Sequence, residues 1–152
     1  MTEQQLPDWA HGIGLAAHPE GGWYAETWRS ELTLPASVLP GYGADRPAGT
    51  AILFLLLPGE ESAWHTVRGA ELWLHHRGAP VELDLGGDGP APGDSTTTTV
   101  GSDLLAGEQP QALVPPGHWQ RARCTGAEAS LVSCIVVPGF DFADFSLVPA
   151  DQ

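Results

Sequence analysis

The sequence predicts an all-β domain, a sandwich or barrel, with one short helix at its N-terminal end. Short apolar runs recur along the chain, and turn residues separate them: 19 glycines and 14 prolines are spread over 152 residues. The middle and C-terminal parts show no helix-length periodicity, which argues against alternating β–α units. A chain of this length fits one domain, so residues 1–152 are expected to form a single unit.

The elements can be assigned in chain order. Residues 4–15 predict a short helix, and the run from Trp23 predicts a strand, whereas residues 34–49 are rich in proline and glycine and predict a loop. Eight further strands are expected from alternating or continuously apolar runs: Thr50–Leu57, Ser62–Val67, Ala70–His76, Val81–Leu85, Thr96–Val100, Ala112–Val114, Trp119–Cys124 and Leu131–Val137. The tail carries three phenylalanines and is expected to pack on the barrel, because exposed phenylalanines would be costly: Phe140, Phe142 and Phe145.

Composition excludes several functions. Six arginines and no lysine stand against 19 acidic residues, which leaves a net charge of −13. Such a surface repels phosphate backbones and anionic lipids, so no nucleic-acid or membrane partner is expected. Without lysine the chain cannot form a Schiff base. The segment MTEQQLPDWA lacks the pattern of a secretory signal, and a cytoplasmic location is therefore predicted.

The stretch GEESAWHTVRGAELWLHHRG, residues 59–78, concentrates titratable and aromatic side chains in a strand-like pattern. Because residues two apart share a face of a strand, Glu71, Trp73 and His75 are expected to point the same way. Burying a carboxylate without partners costs several kcal/mol, so this row indicates a wet or ligand-filled pocket. The alternative is that Glu71 forms a salt bridge to an arginine in a purely structural network.

The same stretch resembles the first motif of the cupins, which are small jelly-roll barrels. That motif has the form G-x5-H-x-H-x3,4-E-x6-G, and its frame is matched by four residues: Gly59, His65, Glu71 and Gly78. Val67 stands where the second histidine belongs. The second cupin motif has the core P-x-G-x-x-H, and PPGHWQ matches it with Gln120 in place of histidine.

The resemblance therefore implies a metal-cupin frame with a depleted ligand set. Valine cannot ligate a metal, and an amide oxygen is a weak ligand for zinc or iron. No tightly bound metal is expected; the alternative is a weakly bound divalent metal at His65, Glu71 and Gln120. Whether His118, two positions short of the motif's histidine, contributes is left open.

A closer resemblance covers nearly the whole chain. Five blocks occur in order, and together they resemble the cupin-5 or DUF985 family: HPEGGWYAETWRS, TAILFLL, WHTVRGAELWLHHRGAP, GEQPQALVPPGHWQRA and VPGFDFADFSL. The resemblance implies a cupin-type jelly roll, or double-stranded β-helix, that is usually dimeric, so a homodimer is expected through sheet-edge or N-terminal strand contacts. It implies no assigned activity. His118 and the pair His75–His76 depart from the residues more usual in the family.

The HPEGG block supplies a second set of candidates. Tyr24 and Glu26 share a face of the following strand and are expected to form a second acid/base wall. The alternative is an edge strand in a dimer contact. His18 and Glu20 precede the turn, where a capping role fits them at least as well as catalysis.

The remaining candidates would line the pocket. Trp64, Trp73 and Trp119 offer apolar walls, although aromatic residues in a barrel also serve as core. Arg121 could pair with Glu71 or with a ligand's carboxylate or phosphate, or lie on a solvated face.

The resulting hypothesis is a metal-independent isomerase, epimerase or lyase that moves a proton on a small polar metabolite. His65 is assigned as the general base, and Glu71 orients it or acts as the partner acid with its pKa raised by the pocket. Gln120 donates a hydrogen bond to a substrate oxygen, and His75 helps to line the site. The alternatives are a non-catalytic small-molecule-binding protein and a mononuclear metal enzyme that uses His65, Glu71, Gln120 and water.

Overall fold

The computed structural model describes residues 5–148, and within them nearly all regular structure is β. Thirteen strands are formed in this part of the chain: β1 (Ala16–Ala17), β2 (Trp23–Arg29), β3 (Thr33–Leu34), β4 (Arg46–Pro47), β5 (Thr50–Leu56), β6 (His65–Val67), β7 (Ala70–Gly78), β8 (Val81–Leu85), β9 (Thr96–Val100), β10 (Gln111–Val114), β11 (Gln120–Cys124), β12 (Ser130–Val137) and β13 (Phe145–Leu147). Short 3-10 turns span Asp8–Ala10, Ala36–Val38, Leu104–Ala106 and Phe142–Asp144. No helix in the described range is long and apolar enough to cross a bilayer.

The strands form two antiparallel sheets that pack on a shared core. One sheet has the order β1-β2-β5-β12-β7-β10 and the other β13-β6-β11-β8-β9, while β3 and β4 make a small separate ribbon. Apart from β1–β2 and β8–β9, neighbours in the two sheets are not consecutive in the chain, as in a jelly roll. Side chains of both sheets meet in one cluster that includes Phe54, Trp73, Leu83 and Ala122. The predicted all-β class is confirmed.

Most predicted strands match the observed ones within a few residues, but the N-terminal helix is shorter than expected. Residues 4–15 were expected to be helical, and within the described part of that range only Asp8–Ala10 forms a single 3-10 turn. Gly14 adopts a left-handed backbone (φ +83°), which ends any continuation. The predicted strand Ser62–Val67 is reduced to His65–Val67.

The two motif strands lie in different sheets. On β7, Glu71 and Trp73 are buried, and Leu72 between them is only half-buried. On β11, Gln120, Ala122 and Cys124 are buried, and the arginines between them are half-buried. The alternation therefore turns both motifs toward the space between the sheets.

The C-terminal segment closes one end of the barrel, as expected from its phenylalanines. Strand β13 pairs with β6, which places Leu147 opposite His65. The preceding turn is anchored by a buried ion pair in which Arg46 Nε donates to Asp144 Oδ2 at 2.8 Å and its Nη2 donates to Oδ1 at 3.0 Å. Phe140 and Phe145 are half-buried, but Phe142 remains 49% exposed.

Gly78, the last residue of β7, provides a test of the packing. Its φ is +81°, and a Cβ there would overlap the carbonyl oxygen of Ala129. Gly107 has a similar φ of +87° with open space around it. We expect Gly78→Ala to lower the free energy of unfolding by at least about 2 kcal/mol more than Gly107→Ala, because only the first adds a steric clash to the backbone strain. Urea denaturation measures both, and equal losses would contradict the described register.

Candidate functional site

A cavity of about 310 Å³ lies between the sheets, beneath the C-terminal segment. Its walls come from the HPEGG turn, from strands β2, β5, β6, β7 and β12, and from residues 140–145. This volume is at the lower end of the roughly 300–1,000 Å³ typical of small-molecule sites. The cavity therefore suits a compact ligand.

His65 lies at the inner end of this cavity and is 2% exposed. Its Nδ1 is 2.8 Å from the carbonyl oxygen of Ala63 and 2.9 Å from Oε2 of Glu20. Since both neighbours are acceptors, Nδ1 carries the proton and Nε2 is the nitrogen left for a ligand. The N–H points to Ala63, and Glu20 Oε2 has no hydrogen-bond donor within the described residues. The contact between His65 and Glu20 is therefore one of charge.

The surroundings of His65 favour its charged form. Burial by itself would lower the pKa of the imidazole, but the adjacent Glu20 carboxylate opposes this effect. Glu71 and the Ala63 carbonyl act in the same direction as Glu20, and the pKa of His65 rises to about 8.

Glu71 is the second buried ionisable group of the cavity. Its Oε1 accepts a hydrogen bond of 2.7 Å from Nε2 of Gln120. The amide is held in this orientation by Trp73, whose Nε1–H donates to Gln120 Oε1 at 3.0 Å. Burial raises the pKa of Glu71 to about 7, although His65 and the Gln120 hydrogen bond act to lower it. The carboxyl can therefore gain or lose a proton near neutral pH.

His18 extends the polar chain on the other side of Glu20. Its Nδ1 accepts the backbone N–H of Glu20 at 3.1 Å and lies 3.3 Å from Glu20 Oε1. An Nδ1 that accepts a hydrogen bond carries no proton, so the contact with Oε1 is not an ion pair. Burial lowers the pKa of His18, against the opposing charge of Glu20, which agrees with a neutral ring. The ring packs edge-on against Tyr24, with centroids 4.6 Å apart.

An ion pair stands among the outer lining residues of the cavity. Arg29 donates to both carboxylate oxygens of Glu26, at 3.0 and 2.9 Å, and reaches the carbonyl of Phe140 at 3.4 Å. The two side chains are 47% and 38% exposed. Because Glu26 is already bound by Arg29, it is less available as an acid or base than the sequence suggested.

Four of the predicted site residues line this cavity together: Tyr24, Glu26, His65 and Glu71. Two others form a layer behind Glu71, since Trp73 and Gln120 are buried and bonded to one another. Gln120 does not line the cavity and donates to Glu71, so its predicted hydrogen bond to a substrate oxygen stays a prediction. The physical reason for the bond to Glu71 is that a buried amide must satisfy its donors within the protein.

The other predicted lining residues lie elsewhere. His75 Nε2 is 3.1 Å from the carbonyl of Ala79, near the end of β7. Arg121 donates to Asp84 at 2.9 Å and stacks over Trp64 at 4.5 Å. It therefore forms no ion pair with Glu71 and does not line the cavity. Trp119 and His118 contact loop carbonyls instead: Gly89 at 2.9 Å and Pro116 at 3.2 Å, respectively. None of these five lines the cavity.

Some lining residues were not among the predicted site residues. For His18 and Glu20 the sequence fits a capping role at least as well as catalysis, and it gives no signal for Arg29 and Cys134. The only sequence feature that could have indicated His18 and Glu20 as site residues is the HPEGG block, which contains both. What it could not indicate is that the backbone bond from Ala63 N–H to Glu20 O, at 2.6 Å, brings the turn beside His65.

The donor set is poor for the transition ion that a cupin frame implies. Val67 occupies one ligand position, and the oxygen of Gln120 already accepts the Trp73 N–H. Within residues 5–148 no group of three or more histidine, cysteine, aspartate or glutamate side chains could hold a metal ion. The residues therefore do not fit a tightly held transition ion, and metal independence stays a prediction.

Comparisons with known proteins agree with this architecture. A family model described as "Cupin superfamily (DUF985)" matches residues 7–148. The structure of protein SO0799 from Shewanella oneidensis is similar with a TM-score of 0.82 and 35% identity, covering 98% of this chain and 87% of that one. A hypothetical protein from Leishmania major gives a TM-score of 0.82 and 33% identity, with 95% and 87% covered.

A protein of Saccharomyces cerevisiae, described as uncharacterized protein YML079W, is 29% identical over 161 residues, which cover 99% of this chain and 76% of that protein. A more distant structure, an uncharacterized protein with a double-stranded β-helix domain from Klebsiella pneumoniae, has a TM-score of 0.57 at 17% identity, covering 97% and 99%. At that identity the likeness concerns the fold alone.

Removal of the amide behind Glu71 should change the acidity of the carboxyl. In Gln120→Leu the carboxylate loses its 2.7 Å hydrogen bond, so we expect the pKa of Glu71 to rise by about one unit or more above its starting value of about 7. Infrared titration of the carboxyl band measures it. Gln111→Leu, on the exposed side of β10, is the matched control and should leave the band unchanged. An unaltered Glu71 titration in Gln120→Leu would contradict the assignment.

Stability should fall as the pH rises from about 5 to about 8. Glu71 holds its proton to a pKa of about 7 in the folded state against an ordinary 4.5, so between these values the folded state binds more protons than the unfolded state. His65 has the same sign, because its stabilisation is complete below 6.5 and is lost through about 8.

Glu71→Gln should remove on the order of 3 kcal/mol of this fall in the free energy of unfolding. Urea denaturation at a series of pH values measures it. The exposed Glu31→Gln serves as the control and should keep the slope of the original protein. A Glu71→Gln slope equal to that of the control would show that Glu71 titrates normally.

Proposed function

The chain belongs to the DUF985 family of the cupin superfamily, and on this premise we propose that it is a metal-independent enzyme that moves a proton on a small polar metabolite. Its reaction class is that of an isomerase, epimerase or lyase. The observation that carries the proposal is that two buried ionisable groups, Glu71 and His65, line one cavity and that the pKa of each is raised, to about 7 and about 8 respectively.

The raised pKa of the imidazole assigns the roles. At neutral pH the imidazole of His65 is largely protonated, and Glu71 is partly ionised. The carboxylate of Glu71 is then the base that removes a proton from a carbon beside a carbonyl. The imidazolium of His65 donates through Nε2 to the oxygen on which negative charge develops. These roles are the reverse of the sequence hypothesis, in which His65 was the base.

The neighbouring groups prepare this pair for proton transfer. The Ala63 carbonyl accepts the Nδ1–H of His65 and fixes the ring, while the charge of the nearby Glu20 favours the imidazolium. Gln120 holds one oxygen of Glu71 and leaves the carboxylate its second oxygen for the substrate. Because His65 and Glu71 are buried, their charges are screened less than they would be at the surface. Tyr24 is proposed as a wall residue that positions the substrate and His18.

Solvent-deuterium exchange tests the proposal. Small hydroxy acids, sugars and amino-acid derivatives are incubated with the protein in deuterated water, and incorporation is followed by NMR and mass spectrometry. We expect a ligand to exchange one carbon-bound proton, and Glu71→Gln or His65→Gln to slow this by about 100-fold or more. The exchange rate should be highest between about pH 7 and pH 8, where Glu71 is ionised and His65 is protonated. The exposed Glu31→Gln is the control and should exchange at the original rate.

Other outcomes separate the alternatives. Binding without exchange or turnover would identify a non-catalytic binding protein. A stoichiometric metal in protein purified without added metal, lost in His65→Ala, would identify a metal enzyme. Exchange at an unchanged rate in Glu71→Gln would show that Glu71 is not the base.

A further inference from the structure

Glu20 carries a buried oxygen that no protein donor satisfies. Its side chain is 9% exposed, and Oε2 has no hydrogen-bond partner within residues 5–148. The nearby His65 N–H is directed to the Ala63 carbonyl instead. A buried acceptor without a donor costs about 1–3 kcal/mol, and more when it is charged, so native proteins rarely leave one unfilled. Because Glu20 lines the cavity, the missing donor can come from a ligand.

The cavity also has an excess of negative groups. Among its described lining residues, four are carboxylic acids: Glu20, Glu26, Glu71 and Asp141. The cationic side is limited to Arg29 and His65, since the Nδ1 of His18 accepts a hydrogen bond and is unprotonated. Arg29 is already committed to Glu26 through two hydrogen bonds. Such a site repels a carboxylate or phosphate and attracts a cation.

The remaining wall is aromatic and aliphatic. The rings of Phe140 and Phe142 are 4.9 Å apart and those of Phe142 and Phe145 are 5.9 Å apart, each pair nearly perpendicular. Ile52 and Val136 add aliphatic surface. Aromatic faces bind both apolar groups and cations, so this wall fits a compact apolar body that carries a charged nitrogen.

We propose that the ligand of this cavity is a small primary amine whose ammonium group is received by the carboxylate of Glu20 and whose apolar part packs on the three phenylalanines. The inference rests on the proposed function only in taking this cavity as the substrate site, and it names the substrate class. An ammonium at Glu20 supplies the missing donor and offsets the excess of negative charge in one step.

Three probes of similar shape test the charge preference: benzylamine, benzyl alcohol and benzoate. Isothermal titration calorimetry at about pH 7.5 and low salt compares them on the unaltered protein. We expect benzylamine to bind at least tenfold more tightly than either of the other two. Its affinity should fall with added salt, because the contact is one of charge.

A matched pair of variants tests the position. Glu20→Gln keeps the shape of the side chain and should weaken benzylamine about tenfold or more, while leaving benzyl alcohol within about threefold. Glu31→Gln removes the same charge from the exposed surface and should change neither affinity. Retained benzyl alcohol binding shows that Glu20→Gln is folded; should that variant not fold, the order of the three probes on the unaltered protein still decides.

Tighter binding of benzoate than of benzylamine would overturn the inference, as would no benzylamine binding up to about 10 mM. An equal loss of benzylamine affinity in Glu20→Gln and Glu31→Gln would overturn it too. These outcomes are independent of deuterium exchange. Exchange confined to anionic substrates would support the proposed proton transfer and refute the proposed amine ligand. Amine binding without exchange would support the amine ligand and refute the proton transfer.

Discussion

The structure depends on the burial of three ionisable side chains in one small space. Glu20, His65 and Glu71 would each lose several kcal/mol of hydration if they were buried alone and charged. Two carboxylates share one imidazole, so the imidazolium is favoured while one carboxyl keeps its proton near neutral pH. The need to balance these charges explains why the HPEGG turn and strand β7 are brought together at the inner end of the cavity.

The C-terminal segment makes that burial possible. Strand β13 adds to the edge of β6 beside His65, and the phenylalanines before it cover the cavity. The segment is held in place by the buried pair of Arg46 and Asp144, which is far less exposed than the contact between Arg68 and the same carboxylate. Fold and chemistry are thus coupled, because a cavity without this cover would fill with water and screen the interactions that set the pKa values.

Local patterns in the sequence were sufficient for nine of the thirteen described strands and for part of the site, whereas the short strands β1, β3, β4 and β13 were not predicted. The period of two correctly placed Glu71 and Trp73 on the buried face of β7. It could not tell which buried residues touch open space and which lie behind them, since that depends on packing across the sheets. Trp73 was therefore expected in the pocket and lies in the layer behind it. Glu20 was weighed mainly as a turn residue, because its approach to His65 is set by a long-range backbone contact that no local pattern encodes.

The two departures from the metal-binding frame have a common physical consequence. In a metal cupin the residues at positions 67 and 120 would be imidazoles that share a cation with His65 and Glu71. Here Val67 contributes an apolar surface, and Gln120 turns its N–H toward Glu71 and its oxygen toward Trp73. An amide donor is a far weaker counter-charge than a divalent ion, so burial dominates and the pKa of Glu71 rises to about 7. On the proposed function, the absence of two ligands leaves the carboxyl that binds metal in the cupin frame to exchange a proton instead.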